Sequence, residues 1–355
     1  MFRLRSKLRV WTVLIGCSYL VVLLSCQSEE EEYIAIDDPG FSIPEDFPQS
    51  TYDFNKNPIT NDGFNLGKKL FFDPILSKDG SVSCNNCHQQ SRAFADTPLH
   101  PLSVGVNDSL GDRNAPALFN LAFRKEFFFD GGVAHLDFVP INAIESEVEM
   151  ASSMEISVER LKNHSDYPKL FKKAFGTDSV TAPRILLAFS QFLNAMISDQ
   201  SRFDQYQRGD NEAMTQQELD GKAAFEAKCA SCHSGILFTD QTFRNNGISE
   251  TFEDKGRALI SESNNDLGKF MVPSLRNIEV TGPYMHNASF ESLEEVLQHY
   301  AEGIKYSATL DPIFKKNETE LGIDLTPQEQ RDIISFLKSL TDDAFLTNPR
   351  FRNNS

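Results

Sequence analysis

Positive charge is scarce in this chain. Its 355 residues include 34 Lys and Arg against 51 Asp and Glu, and the formal net charge is −17. Residues 1–25 contain four basic and no acidic residues, so residues 26–355 carry −17 − 4 = −21. Proteins that bind nucleic acid need clustered Lys and Arg to contact the phosphates. The composition therefore argues against nucleic acid as a partner and permits a basic protein partner.

The apolar run near the N-terminus is shorter than the roughly 20 residues of a transmembrane helix. It spans residues 10–24, follows four basic residues and ends in Leu-Leu-Ser-Cys, which resembles a bacterial lipobox. We predict that residues 1–25 are a lipoprotein signal peptide. Lipidated Cys26 would then hold the exported protein at the outer membrane, facing the periplasm or the cell surface. A box that ends at Cys17 and an uncleaved anchor are the alternatives.

Tryptophan and cysteine are rare. The single Trp, Trp11, lies in the predicted signal peptide. Four of the six Cys fall in two pentads, C-N-N-C-H at residues 84–88 and C-A-S-C-H at residues 229–233. The sequence C-x-x-C-H is the attachment motif of c-type haem. A zinc site would need ligands from both pentads, and a redox Cys pair does not need the His, so both explanations are weaker.

The pentads predict two covalently bound c-type haems. Two cysteines three positions apart lie on nearly one side of a helical turn, so each can form a thioether to the haem while the adjacent His binds the iron. The predicted attachment residues are Cys84, Cys87, Cys229 and Cys232. The predicted proximal iron ligands are His88 and His233.

The pentads also divide the chain, because they lie 229 − 84 = 145 residues apart. Helical patterns cover residues 63–72 and 183–198, and capping boxes at 215–218 and 326–329 predict two more helices. No alternating strand pattern competes, so the predicted fold is mostly α with two cytochrome c-like haem domains. The predicted segments are a linker (26–50), an N-terminal haem domain (51–205) and a C-terminal haem domain (206–345).

The second haem has a candidate sixth ligand in Tyr300. This residue continues an apolar helical face at i, i+3, i+4 and i+7. The other members of the face are Leu293, Val296 and Leu297. His299 is rotated away by about 100°. We predict that Tyr300 binds the second haem iron; ligation by His299, or a Tyr that only packs in the core, is the alternative.

Seven further segments follow one another between residues 57 and 340. They are L-G-K-K-L-F-F-D at 66–73, A-F-A-D at 93–96, R-N-A-P at 113–116, F-D-G at 129–131, E-M at 149–150, P-S-L-R-N at 273–277 and P-Y-M-H at 283–286. Together with the pentads, they resemble the bacterial dihaem cytochrome c peroxidase family, which includes the MauG-type proteins. In the peroxidases a Met matches Tyr300, whereas in MauG-type proteins the residue is a Tyr ligand.

The resemblance implies an open first haem. The family's peroxidases place a distal His in the loop before R-N-A-P, and the matching residue here is Val106, which cannot bind iron. The nearest His, His100, is six positions away and is the alternative ligand. The iron on His88 would then have a free position for peroxide.

The resemblance also implies an acid–base catalyst, the Glu of the E-M pair. This residue is Glu149, and cleavage of peroxide requires such a group to move a proton between the two oxygens. The alternative is that Glu149 and its neighbours Glu145 and Glu147 form a solvated helix face.

Three residues depart from the family pattern. Phe129 replaces a Trp that lies between the haems, Val139 replaces a Gln near the peroxide site, and Gly132 replaces an Arg. A Phe is harder to oxidise than a Trp, so a radical relay through this position is doubtful. The departures predict activity that is weaker than that of the family's known peroxidases or that acts on a different substrate.

Other positions match binding residues of the family. A calcium ion is implied at Asn114, Thr281 and Pro283, through oxygen ligands of the kind that calcium prefers; plain loop residues are the alternative. Arg113 and Arg276 are expected either to pair with haem propionates or to form structural salt bridges. His286 is expected to line the second haem cleft, and no role is assigned to His135 and His164.

We predict a dihaem cytochrome c peroxidase that reduces hydrogen peroxide to water with electrons from a small cytochrome c or cupredoxin. A MauG-like oxidase acting on a protein or a small molecule is one alternative. A dihaem electron-transfer protein without catalysis is the other. The resemblance is also compatible with a homodimer.

Overall fold

Helices provide most of the regular structure in the computed structural model, which describes residues 40–96 and 102–353. The predicted signal peptide, Cys26 and His100 lie outside these residues. The α-helices in the described ranges are α1 (Asn61–Phe72), α2 (Cys84–Cys87), α3 (Val139–Glu145), α4 (Met154–Asn163), α5 (Tyr167–Phe175), α6 (Ala182–Asn194), α7 (Arg202–Gln207), α8 (Gln216–Lys228), α9 (Ala258–Ser261), α10 (Leu293–Gln298), α11 (Pro327–Lys338) and α12 (Asp343–Thr347). The prediction of a mostly α fold is confirmed.

The remaining regular structure is short. A π-helical turn covers His299–Gly303, directly after α10. Two strands, β1 (Phe243–Arg244) and β2 (Phe270–Met271), pair antiparallel with Phe243 opposite Met271. The 3-10 turns are Pro74–Leu76, Gln90–Arg92, Val106–Asp108, Leu121–Phe123, Leu136–Phe138, Asn264–Asp266, Ile278–Val280, Pro312–Phe314 and Pro349–Phe351. Within the two described ranges, every helix is too short or too polar to span a bilayer.

Side-chain caps determine where two main helices begin. At α8 the Thr215 hydroxyl accepts a hydrogen bond from the Glu218 N–H at 3.3 Å, and the Glu218 carboxylate accepts one from the Thr215 N–H at 2.7 Å. Thr326 and Glu329 make the same reciprocal pair at the start of α11. Both predicted capping boxes are therefore confirmed.

α6 ends at Asn194, four residues before the predicted end at Ser198. The side chain of Asn120 explains the difference. Its oxygen accepts a hydrogen bond from the Ser198 N–H and its amide donates one to the Ser198 carbonyl, both at 2.9 Å. These bonds satisfy the backbone of Ser198 outside the helix, so the chain leaves α6 early.

Each lobe is built on a pair of helices that cross at a glycine. In the N-terminal lobe (α1–α6), a Cβ at Gly67 of α1 would lie 2.0 Å from the carbonyl oxygen of Ala188 in α6. In the C-terminal lobe (α8–α11), a Cβ at Gly221 of α8 would lie 1.8 Å from the carbonyl oxygen of Asp332 in α11. No side chain fits at either glycine, so the helix backbones pack directly against each other.

Phenylalanine supplies much of the aromatic packing in both cores. In the N-terminal lobe, the ring centroids of Phe71 and Phe94 are 5.8 Å apart in an edge-to-face arrangement. In the C-terminal lobe, the ring of Phe336 lies 5.2 Å from that of Phe225 and 5.9 Å from that of Phe238. Such pairs contribute about 0.5–1.5 kcal/mol each beyond the burial of their surface.

The last described residues return to the N-terminal lobe. The rings of Phe345 in α12 and of Phe351 lie 5.9 and 6.4 Å from the ring of Phe94. The Lys68 ammonium in α1 donates a hydrogen bond to the Arg350 carbonyl at 2.7 Å. The core of the N-terminal lobe therefore contains residues that follow the C-terminal lobe in the chain.

α7 connects the two lobes through a buried ion pair. The Arg276 guanidinium donates to the two carboxylate oxygens of Asp204 at 2.6 and 2.9 Å, and neither side chain is exposed. Arg276 also donates to the Ile236 carbonyl at 2.8 Å and lies over the Phe47 ring. Burial alone would raise the pKa of Asp204, but the hydrogen bonds and charge of Arg276 outweigh burial and the pKa is lowered.

Replacement of Asp204 by Asn should lower the free energy of unfolding by about 3–5 kcal/mol, because Arg276 would keep its charge without a counter-charge. The ionised Asp204 stabilises the fold above its unfolded pKa of about 3.9, and this contribution is lost as the pH falls through the lower folded value. Urea unfolding followed by far-UV circular dichroism, at neutral and acid pH, measures both effects.

The matched control is Glu226→Gln, which breaks an exposed ion pair with Lys222. Such pairs contribute about 0–1 kcal/mol. If Asp204→Asn is no more destabilising than Glu226→Gln, the buried pair does not stabilise the junction between the lobes.

Candidate functional site

Two cavities contain the two pentads. The polar pentad residues of the N-terminal cavity are Cys84, Cys87 and His88. Those of the C-terminal cavity are Cys229, Ser231, Cys232 and His233. All four cysteines are free thiols, and most other residues that line the two cavities are apolar.

His88 is oriented by a backbone carbonyl. It follows the single helical turn α2, and its N–H donates to the Cys84 carbonyl at 3.0 Å. Its ring Nδ1 lies 2.6 Å from the Phe94 carbonyl oxygen, so Nδ1–H donates and Nε2 keeps a free lone pair. Burial lowers the pKa of His88 to about 4, so the ring is neutral at physiological pH, as a metal ligand must be.

The Phe94 carbonyl reaches His88 because the chain adopts a left-handed conformation there. Ala93 and Phe94 have φ angles of 51° and 60°. This region is unfavourable for a bulky residue and costs on the order of 1–3 kcal/mol. Phe94 is fully buried against Phe71 and Phe345, and this packing holds the conformation.

The C-terminal lobe repeats the arrangement. The N–H of His233 donates to the Cys229 carbonyl at 3.0 Å, and its ring Nδ1 lies 3.2 Å from the Phe238 carbonyl oxygen. Phe238 is buried and has a φ of 52°. Burial also lowers the pKa of His233. Each imidazole therefore presents a neutral Nε2, fixed by the carbonyl of a left-handed Phe.

The pentad residues fit a covalently attached haem. Burial raises the pKa of Cys84 to about 12 and that of Cys87 to about 11, so both remain protonated thiols. Burial raises the pKa of Cys229 to about 12 as well, and that of Cys232 in the same direction. Unpaired thiols beside a neutral imidazole, in an apolar cavity, form the donor set that c-type haem requires.

Tyr300 lines the C-terminal cavity together with His233, whereas His299 does not line it. His299 is buried and its Nε2–H donates to the Asn246 carbonyl at 2.9 Å. The π-helical turn gives the backbone an extra residue here, a distortion often found at functional sites. The geometry favours Tyr300 over His299 as a ligand, because the ring nitrogen of His299 is already engaged.

Neighbouring groups hold Tyr300 in place. Its carbonyl accepts a hydrogen bond from the Ile323 N–H at 2.8 Å, and its ring stacks on Phe314 at 5.7 Å. Gly322 has a φ of 105°, and a Cβ there would lie 2.3 Å from the carbonyl oxygen of Ala301. Burial raises the pKa of Tyr300 to about 12, and a bound cation would oppose this rise.

Glu149 is half-buried and lines the N-terminal cavity. Burial raises the pKa of its carboxyl group, and a hydrogen bond with Ser146 opposes the rise. Glu145 and Glu147 are exposed; Glu145 also lines the N-terminal cavity, whereas Glu147 does not. Only Glu149 of the three therefore combines burial with a position in the cavity.

Gly105 holds the loop that faces Glu149. A Cβ at Gly105 would lie 2.2 Å from the Val148 carbonyl oxygen and 2.4 Å from that of Glu149. The next residue, Val106, donates from its N–H to the Glu149 carbonyl at 2.8 Å, and its side chain is buried in the core. Gly105 lines the cavity, whereas Val106 does not.

Phe129 lines both cavities, so it stands at the boundary between them. Its carbonyl accepts a hydrogen bond from the Met271 N–H of β2 at 2.7 Å. Val139 and Gly132, the other two departures from the family pattern, line the N-terminal cavity. All three substitutions therefore change the walls of the cavities themselves.

Arg113 and Arg276 both line a cavity, and both form salt bridges with carboxylates. Arg113 donates to Asp254 at 2.7 and 2.9 Å and to Asp130 at 2.6 Å. The sequence predicted either pairing with haem propionates or structural salt bridges for these two arginines, and the structure contains the salt bridges. Two more arginines line the cavities, Arg244 in the C-terminal cavity and Arg124 in both. The sequence did not predict either, because a lone Arg carries no motif.

The remaining residues named from the sequence either line the C-terminal cavity or line neither cavity. Asn114, Thr281 and Pro283 line the C-terminal cavity, and the Asn114 N–H donates to the His286 carbonyl at 2.8 Å. His286 lines it too, with its ring 3.6 Å from that of Phe270. His135 and His164 accept hydrogen bonds from nearby backbone N–H groups, which is a structural role.

Comparisons with known proteins agree with this geometry. Residues 61–212 match the family model described as di-haem cytochrome c peroxidase, and residues 218–341 match that of cytochrome c. The methylamine utilization protein MauG of Methylorubrum extorquens is 34% identical over 309 residues, which cover 85% of each chain. Cytochrome c551 peroxidase of Nitrosomonas europaea is 34% identical over 291 residues, 81% of this chain and 82% of that protein.

The solved structures include a MauG-like protein associated with microbial copper homeostasis. It has a TM-score of 0.80 and 30% sequence identity, over 88% of this chain and 98% of that one. The prediction of two cytochrome c-like domains is confirmed by these matches. Since the relatives are more than 30% identical along most of their length, the chain belongs to the di-haem cytochrome c peroxidase family and is an oxidoreductase with two c-type haems.

Proposed function

We propose that this protein reduces hydrogen peroxide to water in the N-terminal cavity, with electrons that enter through the C-terminal cavity from a small cytochrome c or cupredoxin. The observation that carries the proposal is the position of Glu149. It is a half-buried carboxyl group with a raised pKa, and it lines the same cavity as His88. Its raised pKa suits a group that both accepts and donates a proton.

A haem, when bound, supplies an iron centre that accepts and delivers single electrons. Cys84 and Cys87 would attach it in the N-terminal cavity, and the Nε2 of His88 would bind its iron. Glu149 removes the proton from one oxygen of peroxide and returns it to the other oxygen as the O–O bond breaks. In total, one hydrogen peroxide, two electrons and two protons give two water molecules.

The space opposite His88 supports access of peroxide. Among the described residues that line the N-terminal cavity, His88 is the only histidine. Val106, at the position of the family's distal His, is buried in the core. Cyanide added to the resting holoprotein should therefore change the optical spectrum of one haem and leave the other unchanged.

Glu149→Gln should lower peroxide turnover by about 10²–10⁴-fold, because Gln cannot exchange a proton with peroxide. The measurement is peroxide-dependent oxidation of a reduced small c-type cytochrome by the holoprotein. Haem content, measured by the pyridine haemochrome spectrum, should not change.

The control for this variant is Glu147→Gln, which makes the same chemical change at an exposed neighbour outside the cavity. It should keep wild-type turnover. Equal turnover in the Glu149→Gln variant and the wild type would remove Glu149 from the mechanism.

Tyr300→Phe should convert the low-spin haem of the C-terminal lobe to a high-spin species in the resting EPR and optical spectra. The reason is that Tyr300 lines the C-terminal cavity and would supply the sixth ligand through its hydroxyl. His299→Gln keeps a side chain that can donate to the Asn246 carbonyl, so it should leave both spectra unchanged. A spin change in the His299 variant alone would assign the ligand to His299.

A second candidate function is a MauG-like oxidase that acts on a protein or small molecule. Tyr300 in the C-terminal cavity favours it, as does similarity to a MauG protein along 85% of the chain. Phe129 at the boundary of the two cavities argues against a radical relay of the kind that a Trp would allow. If the wild-type holoprotein consumes peroxide without oxidising the reduced cytochrome, the oxidase is the better assignment.

Further features belong to the same proposal. A calcium ion would be held by oxygens of Asn114, Thr281 and Pro283, which all line the C-terminal cavity. These ligands are amide, hydroxyl and carbonyl oxygens; the described residues contain no cluster of three or more His, Cys, Asp or Glu that could hold a metal. Metal analysis of the purified protein tests the calcium site: one calcium per chain is expected, and none would contradict it.

Export, lipid attachment at Cys26 and a homodimer remain expectations from the sequence.

A further inference from the structure

Arg124 is a half-buried cation at the boundary between the two cavities. It lines both of them, and burial lowers the pKa of its guanidinium to about 10. Among residues 40–96 and 102–353, no side chain or carbonyl accepts a hydrogen bond from this guanidinium, and no carboxylate forms an ion pair with it. Its positive charge therefore has no counterpart in the described part of the chain.

The other arginines that line the cavities are all paired with carboxylates. Their partners are Asp130 and Asp254 for Arg113, Asp240 and Asp311 for Arg244, and Asp204 for Arg276. Removal of a charge from water costs several kcal/mol when no partner compensates it. The contrast indicates that the partner of Arg124 is an anion from outside the described residues of the chain.

Both lobes hold the backbone beside Arg124. The Thr51 hydroxyl, on the N-terminal side, donates to the Arg124 carbonyl at 2.6 Å. Gln241, next to β1, accepts from the Lys125 N–H at 3.0 Å and donates to the Phe123 carbonyl at 3.0 Å. Arg124 is thus fixed at the contact between the lobes and does not belong to a freely moving loop.

We propose that Arg124 binds haem propionate carboxylates from both cavities and so links the two redox centres electrostatically. A guanidinium presents paired N–H donors that match a carboxylate, and several such donors can serve two carboxylates at once. The proposal rests on the two haems of the family and does not depend on peroxide as the substrate. A fixed positive charge beside each haem favours the reduced form, which carries one fewer positive charge at iron.

Arg124→Gln should lower the midpoint potentials of both haems. At a fixed applied potential, the ratio of oxidised to reduced haem should rise about tenfold at each centre, equivalent to about 59 mV for one electron. Anaerobic spectroelectrochemical titration of the holoprotein measures the two potentials. Circular dichroism and the pyridine haemochrome spectrum establish that the variant is folded and contains both haems.

The matched control is Lys125→Gln, which removes the same charge from the adjacent, exposed residue and should leave both potentials unchanged. An unchanged potential at either haem in the Arg124→Gln variant overturns the link. Equal shifts in the Lys125→Gln variant overturn it too, because they would show a general effect of charge. If the midpoint potentials of the wild-type haems change with chloride concentration, the anion that pairs with Arg124 is inorganic, and the proposal is overturned.

If Arg124→Gln does not fold, Arg124→Lys decides the matter. Lys keeps the charge and lacks the paired donors of the guanidinium, so it should lower both potentials by a smaller amount than a neutral residue would. Wild-type potentials at both haems in the Arg124→Lys variant overturn the proposal.

Discussion

A hydrogen bond from an imidazole to a backbone carbonyl determines what each lobe can do. His88 donates to Phe94 and His233 to Phe238, and both phenylalanines have left-handed backbone angles that are normally avoided. Buried aromatic packing maintains these angles, so the hydrophobic core directly controls which ring nitrogen is free. The chemistry of both cavities begins from that tautomer.

The two lobes share this hydrogen bond, but they differ in the residues that line the rest of each cavity. In the C-terminal lobe, a π-helical turn supported by Gly322 places Tyr300 in the cavity. In the N-terminal lobe, Gly105 packs closely against the backbone of Glu149, whose carboxyl group lines the cavity. His88 is the only histidine among the described residues of that lining. Under the proposed function, the lining of the C-terminal cavity would serve electron transfer and that of the N-terminal cavity would serve proton transfer.

Local patterns in the sequence predicted the local features well. Both capping boxes are present, and the cysteines and histidine of each pentad line a cavity. Contacts between distant segments were not predictable. The shortened α6 depends on Asn120, 78 residues from Ser198, and the pairing of Arg276 with Asp204 spans 72 residues. The unpaired charge of Arg124 is likewise visible only when the neighbours from both lobes are known.

The return of residues 345–351 to the N-terminal lobe affects the order of folding. Phe345 and Phe351 pack on Phe94, the residue whose carbonyl orients His88. The first lobe therefore lacks part of its core until the whole second lobe has been synthesised. Contacts over such long separations form slowly, because closing the loop costs entropy before the contact is made. During that interval Cys84 and Cys87 would remain accessible for attachment of the haem.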